Sequence, residues 1–159
     1  MKVEITETNL LAQEEKTYIT ERLTKPGGEF VRVFADGYAP LPVVLIRESS
    51  NDEKILAWAA KEHWQGYEAV EAYTDEDYRR RGLAVTATLI LSVVRDELLA
   101  NEVAVFSPEM VPVAIRAGLV NTTLFEKDDA GEWKPLARVK SFEEPSGGPP
   151  SALGVLVGD

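Results

Sequence analysis

From Leu83 to Val94 the chain carries no charge, no proline and no glycine, yet in the stretch before it, Asp75 to Arg81, every residue except Tyr78 is charged. The apolar run has to be buried and the charged run has to stay near water, so Gly82 between them marks a boundary between two elements. The run continues to Ala100 without proline or glycine, with Arg95 as its first charge. That pattern predicts one helix over 83–100, buried on nearly all sides, while its β-branched content leaves a strand open. Gly82 to Val94 is too short for a membrane-spanning helix, which needs about 20 apolar residues.

Residues on both sides give the boundary a context. Tyr67 to Thr74 reads as a strand, set off by Gly66 from an earlier strand at Ile55 to Ala60. Further upstream, Glu29 to Phe34 and Leu41 to Ile46 form an expected antiparallel hairpin about Asp36-Gly37, after a break at Lys25-Pro26-Gly27-Gly28. Before that break a helix and a short strand are equally compatible with the residues. Downstream, Val103 to Phe106 predicts a short buried strand, Pro108 opens a helix that Gly118 stops, and Pro112 interrupts or kinks it. Val120 to Lys127 and Trp133 to Val139 form a second hairpin around Asp128-Asp129-Ala130-Gly131. One domain over residues 1–143 is expected, of the α/β (α+β) class, followed by a Pro/Gly-rich tail over 144–159 whose apolar end, Ala152 to Val157, either docks or stays loose.

Composition narrows the chemistry. There are 159 residues, no cysteine and a single histidine, His63, so disulfides, thiolate metal sites and a cysteine nucleophile are excluded, and no metal is expected. The formal charge of −10 argues against nucleic acid as a partner and favours a cationic substrate. The N-terminus lacks the basic start and apolar core of a secretory signal, so the expected location is cytoplasmic, with no membrane partner.

Arg79, Arg80 and Arg81 stand at the start of the expected helix, where the partial charge is already positive, at a cost of about 0.3–1 kcal/mol each. An anionic ligand would offset them, held by main-chain N–H groups that Gly82 and the small Ala84 leave accessible. Alternatively, Asp75, Glu76 and Asp77 neutralise the arginines across a solvated loop.

Arg79-x-x-Gly82-x-Ala84 resembles the Gln/Arg-x-x-Gly-x-Gly/Ala acyl-CoA motif of the GNAT acetyltransferase superfamily, with Tyr78-Arg79 preceding it as in many members. The order of elements from about Glu29 to Phe142 also resembles that family. The resemblance implies a GNAT-like fold, a mixed and mostly antiparallel central sheet with helices on both faces. It implies acetyl-CoA as cosubstrate, with Arg79, Arg80, Arg81, Gly82, Leu83 and Ala84 around the pyrophosphate and Ala72, Tyr73 and Thr74 along the pantetheine arm. The implied activity is N-acetyl transfer to a primary amine, either a small polyamine-like molecule or a protein lysine or N-terminus; homodimerisation is left open.

Such a transfer needs a base for the ammonium proton, and Glu68 and Glu71 on the expected fourth strand are the candidates. Each could instead be a solvated strand residue. Ser107 stands where the family has an asparagine, and Ala114 where it often has the tyrosine that protonates the thiolate; Tyr73, Tyr78 or water would then have to serve. This departure motivates the alternative of a catalytically degenerate domain that binds CoA or a protein without turnover. His63 is read as structural, Trp58 as core and Trp133 as partly exposed.

Overall fold

A computed structural model describes residues 1–22, 40–49, 51–140 and 155–158. The expected strand Glu29 to Phe34, its turn at Asp36-Gly37 and the glycine break at residues 27 and 28 lie outside these residues; residues 42–48, expected as that strand's hairpin partner, pair instead with 2–7 and 51–60. In chain order the elements are β1 (Lys2–Glu7), α1 (Gln13–Thr20), β2 (Pro42–Glu48), β3 (Asn51–Trp64), β4 (Tyr67–Thr74), α2 (Leu83–Val94), α3 (Glu97–Ala100), β5 (Val103–Val105), α4 (Met110–Arg116), β6 (Thr122–Lys127), β7 (Trp133–Lys140) and β8 (Val155–Gly158). The stretch before the glycine break therefore holds both a strand and a helix.

The eight strands among the described residues join one mixed sheet in the order of the chain. Pairing is parallel at β4–β5 and β5–β6 and antiparallel elsewhere. A parallel pair requires a crossover, and the two crossovers are supplied by α2 with α3 and by α4. Both lie on one face, where Leu83, Ala87 and Leu91 of α2 and Met110, Val111 and Ala114 of α4 pack on Val44, Ile46, Ala59 and Val70. Ile19 of α1 closes the opposite face over Val43, Leu45, Trp58 and Ala60. With a helix on each side, β2 is buried from Pro42 to Arg47, which explains its unbroken apolar run from Pro42 to Ile46. Trp58 is fully buried, as the sequence predicts.

The β3–β4 connection takes two residues, Gln65 (φ 49°) and Gly66 (φ 84°), and both are in the left-handed region that a tight hairpin of this twist requires. At the end of α4, Gly118 (φ 87°) lets the Leu119 N–H donate back to the Ala114 carbonyl at 2.9 Å, the expected glycine stop.

Three expectations are corrected. The helix from Leu83 ends at Val94 rather than Ala100, and a break at Arg95-Asp96 turns Leu98 into the core and carries Glu97 to Lys61. Nor is α2 buried all round, for Leu89, Val93 and Val94 are exposed. Pro112 neither interrupts nor kinks α4, because it is the third residue of that helix, where an N–H would have no intrahelical partner to lose. At the other end of the chain, Val155–Gly158 docks: it pairs with Ala137 to Lys140 of β7, so the sheet takes in the end of the expected tail. Among the described residues no helix is long and apolar enough to cross a membrane.

Candidate functional site

Strand β4 pairs with β5 only at Glu68↔Val103 and Ala69↔Ala104. Beyond Ala69 the two strands part, although β4 continues to Thr74 and stays paired with β3 along its whole length. The gap opens into a cleft of about 470 Å³. Ala72, Tyr73 and Thr74 line one wall of it, and Ser107, Glu109, Met110 and Val113 line the other. Arg79 and Ala84 close its end at the start of α2. Of the residues expected around a cofactor, Ala72, Tyr73, Thr74, Arg79 and Ala84 thus meet at one cavity. Arg80, Arg81 and Gly82 stand exposed on the adjoining turn, while Leu83 is turned into the core.

Local interactions hold that turn in shape. The Asp75 N–H donates to the Leu56 carbonyl (2.8 Å), the Asp75 carboxylate accepts from the Asp77 N–H (3.1 Å), and Arg79 Nε donates to the Thr74 carbonyl (3.3 Å). Gly82 (φ 74°) is the residue before the helix, and its carbonyl accepts from both the N–H and the hydroxyl of Thr86 at 2.9 Å. Arg80 is also left-handed (φ 67°), a conformation that costs an L-residue about 1–2 kcal/mol. Among the described residues, the main-chain N–H groups of Arg81, Gly82, Leu83 and Ala84 donate to no acceptor.

The acidic residues do not neutralise the arginines. Among the described residues no ion pair within 4.0 Å joins Asp75, Glu76 or Asp77 to Arg79, Arg80 or Arg81. Two of the guanidinium groups lie over rings instead, Arg79 at 5.6 Å from the centre of Tyr73 and Arg81 at 5.1 Å from Tyr78. Arg22, just past α1, stacks on Tyr18 (3.7 Å) and also approaches Tyr73 (5.6 Å), so two guanidinium groups lie near the Tyr73 ring. Nothing in the sequence pointed to Arg22 beyond its spacing of four from Tyr18, and the α4 wall was obscured by Pro112.

The two candidate bases are both buried rather than solvated, and they face opposite sides of β4. Glu68 sits at the closed end, where Lys61 Nζ lies 2.8 Å from Oε2 and His63 Nδ1 3.0 Å from Oε1, with Asn101 Nδ2 at 3.5 Å. Lys61 also holds Glu97 at 2.5 Å, and this hydrogen bond keeps the Glu97 carboxyl below its usual range. His63 is otherwise exposed, and its Nδ1 completes this cluster. Glu71 is on the α1 side of the sheet with Tyr73, diagonal to the buried Glu62 on β3.

Ser107 is half-buried in the cleft wall just past β5. Ala114 lies wholly in the core, and Tyr78 packs against the α2 side, which leaves Tyr73 as the tyrosine that lines the cleft. Trp133 is half-buried, its ring edge-on to Phe106 at 5.1 Å. No protein-family model, curated protein or solved structure matches the chain.

Proposed function

We propose that this chain is a GNAT-type N-acyltransferase that takes an acetyl group from acetyl-CoA and delivers it to a primary amine. The observation that carries the reading is the parting of β4 from β5 beside a helix start with unused amides and three arginines that no neighbouring acid pairs. Unused N–H groups at a helix start, with cations around them, suit a diphosphate. The unpaired edge of β4 suits an extended chain of amides such as pantetheine, which adds to a sheet as a further strand would.

In this reading the amine is held on the α1 side, where Glu71 takes the proton of the ammonium group. The freed lone pair attacks the thioester carbonyl carbon, the carbon–sulfur bond breaks, and the thiolate takes a proton from Tyr73 or from water, which the second proton leaving the acylated nitrogen restores. Glu68 lies on the other face of β4, in a cluster with Lys61 and His63, and is the poorer candidate for the base. The acceptor is a small polyamine-like molecule or a protein lysine or N-terminus, in keeping with the net charge of −10.

Calorimetric titration with acetyl-CoA tests the binding half. Saturable binding that weakens about tenfold or more in an Arg79→Ala/Arg81→Ala variant is expected, in line with charge-assisted contacts of about 1.5–3 kcal/mol; no heat at millimolar ligand with folded protein rejects it. The burial of Ala114 where a proton donor is expected favours a second reading, a domain that binds CoA without turnover. Acceptor-dependent thiol release across a panel of amines separates the two.

A further inference from the structure

Among the described residues, strand β1 forms the outer edge of the sheet and pairs without a bulge from Lys2↔Arg47 to Glu7↔Pro42. The Thr8 N–H donates to the Leu41 carbonyl at 2.9 Å, and this fixes the phase of the strand. Even-numbered residues direct their main-chain groups to β2, whereas Val3, Ile5 and Glu7 direct theirs outward. Val3 and Ile5 stand opposite Ile46 and Val44, so their side chains lie on the α2 face, yet they are 47% and 54% exposed. A regular edge with an apolar face invites another strand, and proteins that keep such an edge free usually blunt it with proline, a bulge or charged side chains, lysine above all. β1 has neither proline nor bulge, and its charges, Lys2, Glu4 and Glu7, leave Val3 and Ile5 as an apolar pair on one face.

We propose that this edge is an interface with a second copy of the chain, the two β1 strands pairing antiparallel about a two-fold axis at Glu4. That axis makes the edge self-complementary. Val3 of each copy lies opposite Ile5 of the other, so the outward-directed main-chain groups of both residues are satisfied and four exposed apolar side chains form two cross-strand pairs. On the other face the two Glu4 carboxylates meet. Each is already held by Arg47, whose Nε lies 3.2 Å away, and each has Lys2 of the other copy on its diagonal. The like charges at the axis are therefore offset in part by the Arg47 of each copy, which also holds Glu15. A strand from an unrelated protein would satisfy the backbone but would gain this matching only by coincidence.

Sedimentation velocity on the full chain, from micromolar to submillimolar concentration, is the test. A reversible dimer is expected, with its dissociation constant raised at least tenfold in Ile5→Pro. That substitution removes an N–H that β2 does not use, and proline is tolerated at such edge positions. Val3→Lys/Ile5→Lys should behave alike. A monomer at every concentration overturns the proposal, as does a dimer that persists in both variants. If either variant unfolds, amide exchange in the unaltered protein decides: Val3 and Ile5 amides should gain protection with rising concentration, and amides that exchange freely at all concentrations sink the interface.

Discussion

Glu68 and Glu71 share a strand, a residue type and nearly complete burial, yet they have different surroundings. Glu68 completes the charge of a buried lysine, so its loss is felt in folding: Glu68→Gln should cost about 1–3 kcal/mol of stability, the penalty for a buried cation with one acceptor fewer. Denaturant titration measures this, and turnover per folded molecule should hardly move. Glu71→Gln should instead be felt in turnover, lowering kcat by about 10²- to 10⁴-fold, the worth of a positioned base, with little change in the affinity for acetyl-CoA. Equal losses of activity in the two variants would remove Glu71 from the proton path. The sequence offered these glutamates as a pair and gave the parity that separates them, because side chains three apart on a regular strand diverge. What it could not give was the partner of each, since Lys61 reaches Glu68 through a cross-strand register that no local pattern encodes.

At the scale of elements, two ion pairs fasten helices to the sheet. Arg47 of β2, nearly buried, bonds Glu15 of α1 and Glu4 of β1, and Lys61 of β3 bonds Glu97 of α3. Burial alone would raise the Glu15 carboxyl, but the Ala12 N–H and Arg47 outweigh it and hold the group below its usual value of 4.5. Glu97 is held low chiefly by Lys61. Carboxyl groups depressed in the folded state stabilise it above about 4.5, and that contribution is lost as the pH falls through their lower folded values. Thermal melts should therefore be flat with respect to these groups above pH 5 and fall below about pH 4.5, and Glu15→Gln/Glu97→Gln should flatten the fall. An unchanged acid limb in that variant would show that other carboxylates carry it. The same ties explain why the helix end was misread: Leu83 to Ala100 has no breaker in its sequence, and the break at Arg95-Asp96 arises from tertiary contacts, Leu98 in the core and Glu97 on Lys61. The β4 strand, the Gly66 turn, the Gly118 stop and the β6–β7 hairpin were legible because each has its cause within a few residues.

On the scale of the molecule, the sheet has at β1 an edge that no described residue covers, and at β7 one that Val155–Gly158 covers as the last strand. This is the long-range pairing that composition hides, for a short apolar segment after a proline- and glycine-rich stretch gives no sign of which edge it will join. The cleft lies between β4 and β5, with β6 and β7 intervening before β8. Removal of residues 144–159 should therefore separate stability from ligand binding. It uncovers the main-chain groups of Ala137 to Lys140, and a chain of this size loses about 2–4 °C in Tm for each kcal/mol removed. The truncated chain should melt several degrees lower and associate more readily through the bared β7 edge, while its acetyl-CoA titration stays that of the full chain. If the melting point holds, β8 adds nothing to the sheet; if the titration fails in protein that remains folded, the tail acts on the cleft, and the separation of the two ends of the sheet is wrong.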